Sequence, residues 1–236
     1  MVRPRGYLAI CCCLAMGLSW RGFADSGKAE IERLAALAPD LRPVVLKRAL
    51  TALECAADTE LAEAQILAVI DYSLPSTSPR LWVFDRQAHR LLFHTLVAHG
   101  AGTGENEARH FSNRHGSRQS SLGLFRAAET YHGRNGFSLR LDGLDPGIND
   151  QARSRAIVVH GAWYVSEAMV GQQGRLGRSW GCPALEPASA RPIIEVLKEG
   201  GALFVSAEDA AWLAEVGRKS CPAGSASPAA PTGRGQ

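Results

Sequence analysis

Two short stretches carry the strongest signal in the sequence: AIVVHG at residues 156–161 and GRSWGCP at residues 177–183. An apolar run that ends in His-Gly predicts a buried strand that delivers His160 to the edge of a sheet. The glycine before Cys182 lets the backbone approach a bound carbonyl closely. Taken singly, a cysteine is most often a small buried hydrophobe, and a histidine after a strand is most often a hydrogen-bonded filler. Together, the two stretches predict a Cys/His nucleophile pair.

This pair predicts thiol chemistry without a metal. The thiolate is the reactive form of cysteine, and it forms at neutral pH only beside a base or a cation. His160 is the predicted base, and the amides of Gly181 and Cys182 are predicted to face the developing oxyanion. The sequence has no C-x-x-C and no clustered His/Cys pair of the kind that builds a zinc site, so we expect no metal ligation.

Composition excludes several other classes of protein. The chain has 236 residues, of which 46% are hydrophobic and 21% charged, as is typical of a soluble globular protein with a full core and not of a disordered or fibrous one. The formal net charge of +3 falls to zero when residues 1–24 are left out, because that segment holds Arg3, Arg5 and Arg21 and no acidic residue. We therefore expect no nucleic-acid partner.

The first 24 residues are predicted to be a secretory signal peptide. Basic residues precede an apolar run over residues 7–18, and Gly22-Phe23-Ala24 offers a cleavage site between small residues. The apolar run is too short to span a hydrocarbon layer about 30 Å thick, and no later stretch is long enough either, so no integral membrane span is predicted. An alternative is a lipoprotein, since residues 8–11 resemble a lipidation box, although Ile10 stands where a small residue is expected. We therefore expect a periplasmic or secreted location.

Cleavage after Ala24 would leave Cys55, Cys182 and Cys221 in a compartment that permits disulfides. The number is odd, so at least one thiol stays free or finds another molecule. If Cys182 is the free catalytic thiol, then Cys55 and Cys221 are the pair left to form an intramolecular disulfide. The alternative is that Cys55 is buried in a helix and Cys221 lies in solvent.

Periodicity divides the chain into four parts: the signal peptide over 1–24, a helical segment over 25–62, a catalytic domain over 63–218 and a disordered tail over 219–236. In the helical segment, apolar residues recur at steps of three and four, with interruptions at Pro39 and Pro43, and this stripe should pack on the catalytic domain. Strands are predicted over 65–72, 81–85, 90–98, 121–130, 137–141, 155–160 and 202–206, a long irregular loop over 100–116, and helices over 187–198 and from Ser206, as N-cap, to 216.

The same motifs resemble a known family. His160-Gly161 followed by Ser179-Trp180-Gly181-Cys182 resembles the signature of the L,D-transpeptidase catalytic domain, the YkuD-like cysteine enzymes of bacterial cell walls. The resemblance extends over about residues 67–205. A narrower resemblance to the murein L,D-transpeptidase catalytic domain subgroup is carried by Asn113, Gly116, Ser117 and residues 119–123, 139–143 and 152–160. It implies a mainly β catalytic domain, sandwich-like or barrel-like, with an N-terminal helical segment and short C-terminal helices.

The resemblance also implies a reaction on peptidoglycan stem peptides. Cys182 would attack the carbonyl that joins the third residue of a stem tetrapeptide to the terminal D-Ala, with His160 as base and the Gly161 carbonyl orienting its ring. The acyl-enzyme would pass to an amine, and no cofactor is needed. An L,D-carboxypeptidase or endopeptidase differs only in the nucleophile that reaches the thioester, and a noncatalytic wall-binding module is a further alternative.

The sequence departs from the family pattern beside the cysteine. Many members have His before the Gly-Cys pair and Arg or Asn two residues after the cysteine, whereas this chain has Trp180 and Ala184 there. Another residue must then contact the substrate carboxylate, and guanidinium groups bind carboxylates in bidentate fashion. Arg178 and Arg155 are the predicted substrate-binding arginines, beside Ser179 and Gly181 of the motif.

Overall fold

The computed structural model describes residues 19–56, 59–198 and 200–216. Most of the predicted signal peptide lies outside these residues, as do the predicted tail over 219–236 and Cys221, so the leader, the tail and the disulfide stay predictions. Within the described residues, no helix combines the length and the apolar character needed to cross a membrane.

The helical elements of the described residues are α1 (Ser19–Leu37), α2 (Pro43–Glu54), α3 (Thr59–Ala62), α4 (Glu167–Gln173), α5 (Pro187–Leu197) and α6 (Ala210–Val216). The two prolines divide the N-terminal segment as predicted. Helix α1 ends before Pro39, because a proline disfavours the helical conformation of the residue that precedes it. Pro43 opens α2 in the first turn, where its missing N–H is not required.

The strands are β1 (Ile66–Asp71), β2 (Leu81–Asp85), β3 (Arg90–Thr95), β4 (Val97–Ala98), β5 (Gly123–Gly133), β6 (Gly136–Gly143), β7 (Val158–Gly161), β8 (Ala184–Leu185) and β9 (Ala202–Ser206). They form one sheet in the order β3-β2-β1-β9-β5-β6-β7-β8-β4. The two edge strands, β3 and β4, are separated in sequence by Leu96 alone, so the sheet curls into a nearly closed barrel-like shape. The pairs β1/β9 and β7/β8 are parallel, and the other pairs are antiparallel. The predicted mainly β class is confirmed.

The N-terminal helices share the core of the sheet. Leu34 of α1 and Leu46 and Leu53 of α2 have no exposed surface and belong to the same apolar cluster as the central strands. Burial of one leucine contributes about 2 kcal/mol. An ion pair adds to this contact, because Arg42, just before α2, donates from Nε to the buried Asp71 of β1 at 2.8 Å. The apolar stripe of the N-terminal helices therefore packs against the β domain. This was predicted because a helical segment cannot bury its apolar face by itself.

Two features of the sheet differ from the sequence prediction. The run over 90–98 forms two strands, β3 and β4, that pair with different partners. The short strand β8 was not predicted, because two residues carry no periodicity and its register is imposed by β4 and β7.

The helices also show two differences. The predicted N-cap Ser206 is wrong: Ser206 pairs with Asp71 as the last residue of β9, and the side chain of Asp209 instead accepts the N–H of Trp212 at 2.8 Å. Helix α4 was not predicted, although Ser166 caps it by accepting the N–H of Met169 at 3.2 Å.

Candidate active site

Strands β7 and β8 bring the predicted cysteine and histidine to one region of the sheet. His160 of β7 pairs with Ala184 of β8, two residues after Cys182. Val159 faces the main core, so its neighbour His160 faces the other side of the strand. Both side chains are buried, and the Cys182 Sγ lies 3.7 Å from the carbonyl of Ala156, at the start of the same segment as His160.

The ring of His160 is oriented by its own strand. Its Nδ1 lies 2.9 Å from the carbonyl oxygen of Gly161. A carbonyl only accepts hydrogen bonds, so Nδ1 carries the proton and the Nε2 of the neutral ring keeps its lone pair. Burial lowers the pKa of His160, and the bond to Gly161 opposes this effect in part. The ring is therefore neutral at neutral pH and able to accept a proton at Nε2.

The thiol of Cys182 is protonated in the resting structure. Burial raises its pKa, while the backbone amides of Val158 and of Cys182 itself and the positive charge of Arg155 act in the opposite direction. A buried thiol that is neutral at rest needs a base when it attacks. The Nε2 of His160, in the strand that follows Ala156, is unprotonated in this arrangement.

Ser179 holds the turn that leads into the cysteine. Its hydroxyl donates to the carbonyl of Cys182 at 2.6 Å and accepts the N–H of Gly181 at 3.1 Å. The expected use of the Gly181 amide as an oxyanion donor is thus not available in this arrangement, since that N–H is already bonded. Gly181 has a φ of 121°, and a Cβ there would lie 2.8 Å from the carbonyl oxygen of Gln119, so only glycine fits.

Arg155 lies behind the turn and retains an unpaired positive charge. Its guanidinium donates to four neutral oxygens of the segment over 112–121: the carbonyls of Ser112 and Gln119 at 2.6 Å each, and the hydroxyls of Ser121 at 2.6 Å and Ser117 at 3.3 Å. Within the described part of the chain, no carboxylate forms an ion pair with it. Arg155 and Cys182 each favour the charged form of the other. Of the two predicted arginines, Arg155 is the one whose charge lowers the pKa of the Cys182 thiol.

Arg178 is engaged elsewhere. Its Nη1 donates to the Glu105 carboxylate at 2.6 Å and to the carbonyl of Gly104 at 3.1 Å, and Arg175 binds the same carboxylate at 3.0 Å. The contact between Arg178 and Glu105 joins the long loop to the segment before the cysteine. Glu105 is shared by Arg175 and Arg178, so its single negative charge only partly balances their two positive charges.

Three aromatic residues lie close in sequence to Cys182 and His160: Trp163, Tyr164 and Trp180. Trp163 and Trp180 are 75% and 69% exposed, which is unusual for large apolar residues, and the guanidinium of Arg118 lies 4.8 Å from the Trp180 ring centre. Burial and the negative charge that Cys182 carries when ionised raise the pKa of Tyr164 to about 12. Trp163 is thus not a core residue, whereas Tyr164 is partly buried.

Sequence reasoning gave no role to two serines that reach the site. Ser120 donates to the carbonyl of Gly181 at 3.0 Å, and Ser121 accepts from Arg155. Both belong to the run over 119–123 that carried part of the family resemblance, which was the available signal. No group of three or more His, Cys, Asp or Glu suited to a metal ion occurs among the residues with described positions.

The chain has partial structural similarity to several solved proteins. No curated protein matches the sequence at a significant level. Among solved structures, an L,D-transpeptidase from Mycobacterium smegmatis is 16% identical, over 61% of this chain and 59% of that one, with a TM-score of 0.38. An L,D-transpeptidase mutant from Enterococcus faecium is 11% identical, over 60% and 50% of the two chains, with a TM-score of 0.38. L,D-transpeptidase 3 from Mycobacterium tuberculosis is 12% identical, over 60% and 61%, with a TM-score of 0.35.

The chain spans only 50% to 61% of the length of these solved proteins. Family assignment rests instead on the sequence model of the L,D-transpeptidase catalytic domain, which matches residues 37–206 and therefore includes α2, the whole sheet and the candidate site. This protein belongs to the L,D-transpeptidase catalytic domain family.

Proposed function

We propose that the protein is a cysteine-dependent murein L,D-transpeptidase that acts on peptidoglycan stem peptides through a thioester on Cys182. The observation that carries the proposal is the bond from His160 Nδ1 to the Gly161 carbonyl at 2.9 Å, which leaves Nε2 unprotonated in the segment that also contacts the Cys182 thiol. Family membership supports the same reaction.

The first half of the reaction forms the acyl-enzyme. His160 Nε2 takes the Sγ proton as Cys182 attacks the carbonyl carbon between the third residue of the stem and D-Ala, and a C–S bond forms. The oxyanion that develops on the former carbonyl oxygen is stabilised by the N–H of Cys182. When the intermediate collapses, the C–N bond breaks and D-Ala leaves with the proton that His160 returns.

The second half transfers the acyl group. An acceptor amine attacks the thioester, His160 removes its proton, and the new amide forms as the C–S bond breaks. The thiolate released in this step regains the proton from His160, so protons and electron pairs balance over the cycle.

Arg155 has the best-supported role among the arginines. Its charge favours the thiolate, and no carboxylate among the described residues forms an ion pair with it. Since its four Nη hydrogens already bond oxygens of residues 112–121, we assign Arg155 an electrostatic effect on Cys182 and not a bidentate contact with the substrate. Arg178 remains a substrate-binding candidate through its position on the turn, with Glu105 as a competitor for its charge.

Product analysis tests the proposal against its alternatives. Purified protein is incubated with a tetrapeptide muropeptide, and the products are identified by mass spectrometry. A transpeptidase releases D-Ala and forms a cross-linked dimer, an L,D-carboxypeptidase releases D-Ala and leaves a tripeptide, and an endopeptidase cleaves a supplied dimer. A noncatalytic wall-binding module leaves every substrate intact, and that result would contradict the proposal.

We also propose export to the periplasm or beyond, directed by residues 1–24. The basic start, the short apolar run and the cleavage site between small residues support this. Mass measurement of the protein from a periplasmic or culture fraction checks it, and a chain that keeps residues 1–24 would contradict cleavage.

A further inference from the structure

The peptide group between Gly181 and Cys182 is held from one side by Ser120. The Ser120 hydroxyl donates to the Gly181 carbonyl at 3.0 Å, although the two residues are 61 positions apart. The same hydroxyl accepts the N–H of Gly100 at 3.0 Å. Ser120 is only 2% exposed, so water does not compete for these bonds.

This contact fixes the direction of the Cys182 N–H. The carbonyl of Gly181 and the N–H of Cys182 belong to one planar trans peptide group and point in opposite directions. A donor that holds the carbonyl on the Ser120 side therefore turns the N–H of Cys182 away from Ser120. Among the described residues, no oxygen accepts that N–H, whereas the N–H of Gly181 is bonded to Ser179.

Ser120 is itself held rigidly. Its N–H donates to the hydroxyl of Thr103 at 2.8 Å, and Thr103 has no exposed surface. The loop that contains Thr103 is tied to the turn by two backbone bonds, from Ser179 N–H to the His99 carbonyl at 3.0 Å and from Ala101 N–H to the Ser179 carbonyl at 2.7 Å. The hydroxyl of Ser120 thus acts from a fixed position between the long loop and the turn.

We propose that Ser120 is a positioning residue that aims the N–H of Cys182 at the oxyanion formed during acyl transfer. The inference rests on the proposed function, and it adds a residue that acts through the peptide group before the nucleophile. Without the Ser120 hydroxyl, the Gly181–Cys182 peptide group is held only by the two Ser179 bonds that flank it, so the remaining oxyanion donor is less firmly directed.

Loss of the Ser120 hydroxyl should affect two reactions of the Cys182 thiol differently. Acyl transfer develops charge on a carbonyl oxygen and needs a donor aimed at that position. Alkylation by iodoacetamide replaces iodide at a saturated carbon and develops no oxyanion. Loss of one oxyanion donor lowers kcat by about 10²- to 10³-fold, so loss of its direction should lower kcat by about 10- to 100-fold.

The experiment compares both reactions in wild type, Ser120→Ala and the control Ser206→Ala. Ser206 is also fully buried, and its hydroxyl has no hydrogen-bond partner in the described structure, so the control removes a core hydroxyl away from the turn. For Ser120→Ala we expect a loss of kcat for D-Ala release by about 10- to 100-fold, with KM and the rate of Cys182 alkylation within about twofold of wild type. Ser206→Ala should match wild type in both reactions.

Thr103→Val provides a second variant if Ser120→Ala does not fold, since valine has the shape of threonine and removes only the acceptor for the Ser120 N–H. In Thr103→Val, kcat for D-Ala release should again fall, by less than in Ser120→Ala, while the rate of Cys182 alkylation stays near that of wild type. Equal losses of both rates, or an unchanged kcat, in the folded variant would overturn the role of Ser120. If wild type itself releases no D-Ala, the proposed function falls and this inference falls with it.

Discussion

The Nδ1 of His160 donates to the carbonyl oxygen of Gly161, the next residue along the chain, at 2.9 Å. This bond within one strand fixes both the ring orientation and the tautomer, so the nitrogen left for chemistry is Nε2. Burial of the ring lowers the pKa of His160, and burial of the thiol raises the pKa of Cys182. Both groups are thus neutral at neutral pH, and the proposed mechanism therefore transfers the proton from the thiol to His160 during attack.

The first prediction concerns pH. Because the pKa of His160 is lowered, the imidazolium forms only in acid, and kcat/KM for D-Ala release should rise with pH with a midpoint below the ordinary histidine pKa of about 6.5. Because the pKa of Cys182 is raised, alkylation by iodoacetamide should instead rise with a midpoint above about 8.5. Both pH profiles, for D-Ala release and for alkylation by iodoacetamide, are measured from about pH 4 to 10. One shared midpoint for the two reactions would indicate a preformed thiolate-imidazolium pair.

The second prediction is that His160→Ala lowers kcat by about 10²- to 10⁴-fold, the usual contribution of a general base, with little change in KM. The thiol should still react with iodoacetamide at high pH, since direct ionisation does not need the imidazole. His132→Ala is the matched control, because His132 is an exposed histidine at the far end of β5. Turnover of the His160 variant at the wild-type rate would remove this residue from the mechanism.

A third prediction is that Cys182→Ser abolishes turnover while the fold persists. A serine hydroxyl beside a lone imidazole stays protonated and is a far weaker nucleophile than a thiol. The exchange of sulfur for oxygen at a buried position should change the free energy of unfolding by about 1 kcal/mol or less, as measured by urea denaturation. Substantial D-Ala release by a well-folded serine variant would show that the nucleophile lies elsewhere.

The sequence was most informative where local pattern and local structure coincide. The strands Leu81–Asp85 and Ala202–Ser206 occur with the predicted bounds, because each is a short apolar run whose residues are all buried. Cys182 and His160 were predicted as site residues because a cysteine preceded by glycine and a histidine at the end of an apolar strand are both recognisable in the amino-acid sequence. Their environment was not visible: the contacts of Arg155 join it to residues 34 to 43 positions away.

The assignment of roles among the arginines had the same limit. From the sequence, Arg155 and Arg178 were equal candidates because both lie beside the motifs. The difference arises from Glu105, which pairs with Arg178 from 73 positions away, and no local pattern predicts that contact. Likewise the Gly181 amide was expected to face the oxyanion, and only the folded turn shows that Ser179 already accepts it.

A fourth prediction tests the charge of Arg155. Arg155→Met removes the cation near Cys182 and four hydrogen bonds to residues 112–121, so the midpoint for alkylation of Cys182 should move to higher pH and kcat should fall. Arg155→Lys keeps the charge without the planar fork, and should keep the alkylation midpoint closer to wild type while kcat still falls. Arg153→Met is the control, since Arg153 is exposed and pairs with Glu129. An alkylation midpoint that is the same in wild type and Arg155→Met would contradict a role for its charge.

The last prediction separates two costs of replacing Gly181. Its φ of 121° disfavours any side chain, and a Cβ would also lie 2.8 Å from the carbonyl oxygen of Gln119, a backbone atom that cannot move aside cheaply. Gly136, in the hairpin between β5 and β6, has a φ of 75° but nothing within 4 Å of the place where a Cβ would stand, so Gly136→Ala measures the backbone cost alone. We expect Gly136→Ala to lower the free energy of unfolding by about 1 kcal/mol and to leave D-Ala release unchanged. Gly181→Ala should lose at least about 1 kcal/mol more, in the range of overpacked sites, and should also lose most of its turnover because the turn that carries Cys182 must shift. Urea denaturation and D-Ala release measure the two effects, and a Gly181→Ala enzyme as stable and as active as Gly136→Ala would show that the turn tolerates a side chain there.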